Sequence, residues 1–107
     1  MIYELRIYDT CPGRLGALHE RFQNHTCRIF ERHGIKQVAY WEDVIGVSNR
    51  LTYVLAWEDM AHRERAWGAF QADPEWQAVR AKSEESGPIV ARVTSTFMKA
   101  TPYSPLR

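Results

Sequence analysis

The stretch Arg50-Leu51-Thr52-Tyr53-Val54-Leu55-Ala56-Trp57-Glu58 decides the fold, because it alternates in the way a β-strand does. From Leu51 to Trp57 every second residue is large and apolar, and the residues between them are Thr, Val and Ala. Period-two alternation in a run of β-branched and aromatic residues predicts a strand with two distinct faces. The partners of this strand must therefore be found elsewhere in the chain.

Three other runs have strand character. Residues 2–8 alternate, residues 35–44 carry Val, Tyr and Trp at their centre, and residues 89–98 are rich in Val, Thr and Phe. Only a short turn at residues 46–49 separates the second strand from the central one. Neighbouring strands with so short a connection are expected to form a hairpin.

The intervening segments have helical signals. Apolar residues recur at spacings of three and four across residues 14–33, and Gly34 follows as a typical helix terminator. Asp59 predicts the N-cap of a second helix that runs to about Gln71. Asp73 and Pro74 then predict the cap and first turn of a short further helix that ends near residues 86–88.

The resulting order is β-α-β-β-α-β, with the second helical region broken in two. It predicts an α+β, ferredoxin-like fold with a four-stranded antiparallel sheet. A chain of 107 residues suits one domain. We assign that domain to residues 1–100 and expect residues 101–107, which contain two prolines, to form an extended C-terminal tail.

Composition excludes several classes of protein. A formal net charge of +1 argues against nucleic-acid binding, and no apolar run is long enough to cross a membrane. Only two cysteines, Cys11 and Cys27, are present, and we expect free thiols in a reducing cytoplasm. No phosphate loop and no metal-ligand spacing occur, so we predict no cofactor and no metal.

Strand alternation predicts that the helices cover one face of the sheet. The residues expected on that face are Tyr3, Leu5, Ile7, Trp41, Tyr53, Leu55, Trp57, Val93 and Phe97. The opposite face is expected to hold Glu4, Arg6, Tyr8, Val38, Tyr40, Glu42, Val54, Ala56, Arg92, Thr94 and Met98. This mixture of apolar, aromatic and charged groups is typical of an interface, so we predict a homodimer.

Several pieces together resemble the NIPSNAP family over about residues 1–100. They are Tyr3-Glu4-Leu5-Arg6-Ile7-Tyr8, Pro12-Gly13-Arg14-Leu15, Val38-Ala39-Tyr40-Trp41, Leu51-Thr52-Tyr53-Val54-Leu55-Ala56-Trp57 and Ala72-Asp73-Pro74-Glu75-Trp76. The resemblance implies a ferredoxin-like subunit that pairs into a dimeric α/β barrel, in a family whose molecular function is undefined. The wider superfamily includes cofactor-free oxygenases that act on aromatic compounds, which is an analogy of fold alone.

Two features are candidates for a functional site. His25 falls on the apolar stripe of the first helix, where we expect it to face the sheet, and a buried His can transfer protons near neutral pH. The aromatic residues Tyr3, Trp41, Tyr53 and Trp57 are expected to form one helix-facing wall of a ligand pocket. The plain alternatives are a hydrogen-bonded core histidine and ordinary core packing.

The sequence thus favours a protein that binds a small aromatic or apolar ligand between helices and sheet. Cofactor-free oxygenase-like or isomerase-like chemistry, with His25 as the proton-transfer group, is the catalytic form of this hypothesis. The alternative hypothesis is a non-catalytic homodimeric binding or interaction module.

Overall fold

A computed structural model describes all residues, Met1–Arg107, and its elements follow the predicted order. The four strands are β1 (Ile2–Thr10), β2 (Lys36–Glu42), β3 (Arg50–Trp57) and β4 (Val90–Lys99). The helical elements are α1 (Leu15–Arg21), a π-helical segment (Phe22–Thr26), α2 (Cys27–Arg32), α3 (Met60–Gln71) and α4 (Pro74–Ser83). The predicted boundaries agree with these to within about two residues at most ends.

The strands form one antiparallel sheet in the order β2-β3-β1-β4. The hairpin of β2 and β3 lies at one edge, and β1 and β3 occupy the centre. Helices pack against one face, where their apolar side chains join those of the sheet in a single core. The α+β, ferredoxin-like prediction is therefore confirmed. No helix combines the length and the apolar character needed to cross a bilayer.

The predicted caps are present. The Asp59 carboxylate accepts a hydrogen bond from the backbone N–H of His62 at 2.7 Å and so begins α3. The Asp73 carboxylate accepts from the backbone N–H of Glu75 at 2.8 Å, and Pro74 occupies the first turn of α4. Each cap satisfies a backbone donor that the first helical turn leaves unpaired.

The first helical region departs from the single regular helix that its periodicity predicted. Five residues, Phe22–Thr26, form a π-helical turn between α1 and α2. The hydroxyl of Thr26 donates to the carbonyl of Arg21 at 3.3 Å, within the widened turn. Phe22 and Thr26 are buried, whereas His25 is only half-buried. Such widened turns are frequent at functional sites.

The faces of β1 are the reverse of the prediction. Arg6 lies opposite Tyr53 in the register of β1 and β3, and both side chains point towards the helices. By alternation Glu4 and Tyr8 share that side. Tyr3, Leu5 and Ile7, which were expected to face the helices, therefore lie on the other face of the sheet. On that face Leu5 is paired with Val54.

In β2 a bulge between Gln37 and Ala39 shifts the alternation by one residue. Tyr40, expected on the outer face, stacks on Tyr53 on the helix-facing side with ring centroids 5.0 Å apart. Trp41, expected to face the helices, lies on the other face and is 52% exposed. We call that other side of the sheet the open face; it carries Tyr3, Leu5, Ile7, Trp41, Thr52, Val54, Ala56 and Met98.

Candidate functional site

A charged pair lies buried at the centre of the helix-facing side. The carboxylate of Glu4 is fully buried and accepts hydrogen bonds from Arg6 Nη1 at 2.7 Å and Ser95 Oγ at 2.7 Å. Its other oxygen accepts from the indole N–H of Trp57 at 3.0 Å and from Arg63 Nε at 3.3 Å. A buried charge is stable only when such partners compensate its lost hydration, and here each carboxylate oxygen accepts at least two hydrogen bonds.

These partners also decide the protonation of Glu4. Burial alone would raise the pKa of the carboxyl, but the hydrogen bonds from Ser95 and Arg6 and the charge of Arg6 outweigh it. The pKa of Glu4 is consequently lowered from its ordinary value of 4.5, and the group is a carboxylate at neutral pH.

Arg6 connects this carboxylate to a pair of tyrosines. Its Nε donates to the hydroxyl of Tyr53 at 2.8 Å and its Nη2 to the hydroxyl of Tyr8 at 3.1 Å. The two hydroxyls are 2.9 Å apart, and the guanidinium lies 4.4 Å from the ring centroid of Trp67. Burial and the neighbouring Tyr8 raise the pKa of Tyr53 well above its ordinary value. The hydroxyl of Tyr53 is therefore protonated at neutral pH and can both donate and accept a hydrogen bond.

A cavity of about 200 Å³ adjoins this network, between the helices and the sheet. Six of its 14 lining residues are aromatic, and we call it the aromatic cavity. The aromatic lining consists of Tyr8, Phe22, Phe30, Trp67, Phe70 and Trp76, and the charged lining of Arg6, Arg21, Arg80 and Glu84. The π-helical segment contributes Phe22 and Thr26 to this wall, so the widened turn shapes the cavity.

Two polar groups on the wall of the aromatic cavity lack partners. Arg21 is 6% exposed and its Nε makes no hydrogen bond. Trp76 is 7% exposed and its indole N–H likewise has no acceptor. Buried N–H groups are nearly always paired in folded proteins, so these two donors are unusual features of the site.

His25 lies in a neighbouring groove of about 470 Å³ between the first helical region and α4. The groove is lined by Ala17, Glu20, Arg21, His25, Ala78, Val79, Lys82, Ser83 and Ile89. Nδ1 of His25 is buried without a hydrogen-bond partner. His25 therefore does not face the aromatic strand residues as expected, but lies in a groove beside Ala78, Val79 and Lys82 of α4. Arg21 alone lines both the groove and the aromatic cavity.

The structure does not bring the four predicted ligand-binding residues together. Tyr53 and Trp57 are fully buried on the helix-facing side, where they hydrogen-bond to Arg6 and Glu4. Tyr3 and Trp41 lie on the open face, across the sheet from them. The prediction that these four side chains form one helix-facing wall is therefore wrong.

Sequence reasoning missed the residues that line the aromatic cavity. Arg21 stands in the first helix without any motif around it, and no sequence pattern marks Trp67 or Trp76 as a cavity residue. One signal was available, namely charged residues at alternate positions of a central strand, Glu4 and Arg6. Charges there require buried partners, which predicts a polar centre on that face.

No group of three or more His, Cys, Asp or Glu side chains comes together to hold a metal ion.

The ferredoxin-like sheet with its helical cover defines an α+β protein with a cavity between the two layers. The family model for NIPSNAP matches residues 3–105, and the chain belongs to the NIPSNAP family. The resemblance seen in the sequence is thereby confirmed. The curated proteins include no match to this chain.

Solved structures agree with this assignment. An uncharacterized NIPSNAP-like domain protein from Burkholderia xenovorans is 26% identical, with a TM-score of 0.86 over 97% of this chain and 88% of that one. A NIPSNAP family protein of unknown function from Agrobacterium tumefaciens is 23% identical, with a TM-score of 0.88 over 100% and 94% of the two chains. An antibiotic biosynthesis monooxygenase, 13% identical, shares the fold with a TM-score of 0.60 over 95% and 100%.

Proposed function

We propose that the protein binds a small, flat aromatic or apolar ligand in the aromatic cavity. The observation that carries this proposal is the size and lining of the cavity, about 200 Å³ walled by six aromatic side chains. An apolar cavity of roughly 150 Å³ is enough to hold benzene. The aromatic cavity therefore has room for one ring with a small polar substituent.

The aromatic cavity is not a sealed void of the core. Protein interiors are close-packed, and voids larger than a water molecule are few. This cavity instead opens to solvent beside Arg80 and Val93, whose side chain and residue are 59% and 45% exposed, so a ligand can enter it. The unpartnered N–H groups of Arg21 and Trp76 carry a cost that a bound ligand would remove.

The test is binding of benzyl alcohol, measured by ¹H–¹⁵N NMR through the indole N–H signals of Trp67 and Trp76. We expect shifts confined to residues of the aromatic cavity. Val93→Trp, at a lining position, should fill the cavity and abolish them. Val44→Trp, in a loop where Val44 is 97% exposed, is the matched control and should leave them unchanged. Equal binding by both variants would refute the proposed location.

Proton transfer by His25 is the catalytic part of the proposal. Nδ1 of the half-buried imidazole is buried without a hydrogen-bond partner, and Arg21 lines both its groove and the aromatic cavity. A substrate seated in the cavity would therefore have to reach towards the groove past Arg21. His25→Gln keeps a polar side chain of similar size, so it should abolish turnover of any substrate while leaving the melting temperature unchanged. A loss of folding instead would assign His25 a structural role.

The second proposed function is a homodimeric, non-catalytic module that pairs through the open face. One observation favours it: this face is largely apolar, yet Trp41 is 52% exposed and Met98 40% exposed. Exposed apolar patches of this kind mark interaction sites. A dimer that buries this face would correspond to the dimeric α/β barrel implied by the family resemblance.

Sedimentation velocity tests this pairing. Val54 lies at the centre of the open face, opposite Leu5 in β1 and Ala39 in β2. Val54→Asp should give a monomer, whereas Val44→Asp in the exposed loop should leave the dimer intact. A wild-type monomer would refute the proposal. We also propose a cytoplasmic location for the protein, which is supported by two cysteines that form no disulfide.

A further inference from the structure

The charges around the aromatic cavity are not balanced. Arg6 has the carboxylate of Glu4 at 2.7 Å, and Arg80 Nε has that of Glu84 at 3.2 Å. The third arginine, Arg21, is 3.5 Å from the Glu84 oxygen that already accepts from Arg80. Arg21 therefore shares a distant carboxylate and has none of its own.

The hydrogen bonds of Arg21 leave one edge of its guanidinium unused. Nη1 donates to Ser83 Oγ at 3.2 Å and is the atom nearest Glu84. Nε has no partner, although the side chain is only 6% exposed. Burial lowers the pKa of Arg21 from its ordinary value, against the opposing influence of Glu84. A buried cation in this state is costly, and an anion at the free edge would offset the cost.

Trp76 presents a second free donor beside the first. The guanidinium carbon of Arg21 lies 5.2 Å from the centroid of the Trp76 ring, and the indole N–H of Trp76 has no acceptor. Both residues line the aromatic cavity. An acceptor bound between these two side chains would supply a partner for both unpaired N–H donors.

We infer that the ligand of the aromatic cavity is an aromatic carboxylate whose anionic group is bound by Arg21 and Trp76. This inference rests on the proposed function, because it assigns the chemistry of a ligand to the same cavity. A carboxylate matches the planar edge of a guanidinium with two parallel hydrogen bonds. The ring of the ligand packs among Phe22, Phe30 and Phe70, which also line the cavity.

The experiment compares benzoate with benzyl alcohol, two probes of similar size that differ in charge. Isothermal titration at pH 7 gives both affinities. Hydrogen bonds to charged groups contribute enough that benzoate should bind about 10- to 100-fold more tightly than benzyl alcohol. Arg21→Met should reduce benzoate to the affinity of benzyl alcohol and leave benzyl alcohol itself unchanged. Arg65→Met removes an exposed arginine outside the cavity and is the matched control.

Folding of the Arg21→Met variant is expected, because Glu84 is 29% exposed and keeps Arg80 at 3.2 Å, so no buried charge is left unpaired. The comparison of the two probes on the wild-type protein needs no variant, and it tests independently whether the cavity favours an anionic ligand. Equal affinity for benzoate and benzyl alcohol would overturn the carboxylate inference and leave the proposed ligand cavity standing. Binding of neither probe would overturn the proposed function itself.

Discussion

Replacing Glu4 by Gln should destabilise the protein strongly, although the two side chains have nearly the same shape. Glu4 is fully buried and each of its oxygens accepts at least two hydrogen bonds. In the Gln variant an NH₂ group replaces one of these oxygens and cannot accept the two hydrogen bonds made to that position. The variant also leaves Arg6, whose side chain is 9% exposed, as a buried cation without its counterion.

The expected loss follows from these contacts. Breaking a buried ion pair by removing one partner costs about 3–5 kcal/mol. Two lost hydrogen bonds to charged groups, at roughly 1.5–3 kcal/mol each, give a similar figure. A domain of this size has a free energy of unfolding of about 5–15 kcal/mol, so the variant should lose a large part of it. The midpoint of urea unfolding should fall by about 1 M or more, since the slope for a small protein is about 1–3 kcal/mol per M.

Tryptophan fluorescence in urea is a suitable assay, because Trp57 is fully buried and hydrogen-bonded to Glu4. Glu64→Gln is the control: Glu64 is 68% exposed and contacts only Arg63, so its replacement should change stability by no more than about 0.5 kcal/mol. A Glu4→Gln variant as stable as this control would refute the account of the buried network.

The same variant has a predicted pH dependence. The pKa of Glu4 is lowered in the folded protein, so the native state favours the carboxylate over the protonated acid. Its contribution to stability is therefore complete above the unfolded pKa and is lost as pH falls through the folded one. The difference in unfolding free energy between wild type and Glu4→Gln should narrow below about pH 4.5. A constant difference from pH 7 to pH 3 would contradict this.

Three further outcomes are expected. Gly34→Ala should lower the free energy of unfolding by about 1–2 kcal/mol, because Gly34 has a φ of +69° and an added Cβ would meet no other atom. An unchanged melting temperature would exclude backbone strain at this position. Phe30→Ala should lower the free energy of unfolding in urea by about 3–5 kcal/mol, since Phe30 is 1% exposed. A loss under 1 kcal/mol would mean that the core is loosely packed. Asp73→Asn should reduce the loss of unfolding free energy with falling pH below about pH 4. Hydrogen bonds from His33 and Arg32 hold the pKa of the Asp73 carboxyl well below its usual value. An equally steep loss in the variant would mean that other groups cause the acid sensitivity.

The order and topology of the elements could be predicted from local signals. The alternation of β3, the caps at Asp59 and Asp73 and the glycine at residue 34 each act within a few residues of themselves. Once the order β-α-β-β-α-β is established, short connections leave few ways to build the sheet. The same local rules cannot say which face of a strand meets the helices, because that depends on partners far along the chain.

The strand β1 shows this limit clearly. Its apolar residues Tyr3, Leu5 and Ile7 were the natural choice for the helix-facing side, and its charged residues for the exterior. The structure reverses the two sets because the charges have distant partners: Glu4 meets Ser95, 91 residues away. In β2 the bulge near Gln37 has the same effect on Trp41, since one extra residue moves every later side chain to the opposite face.

The π-helical segment also puts the two halves of the first helical region out of phase. One additional residue corresponds to a rotation of about 100° around a regular helix. A substitution scan along residues 15–32 should therefore show two stripes of sensitive positions, offset from each other, rather than one continuous stripe. The first stripe includes Leu18 and Phe22, and the second Thr26, Ile29 and Phe30, all of them buried. An alignment with a relative whose helix is regular would need a one-residue gap in this turn, and without the gap every equivalence on one side of it would be wrong.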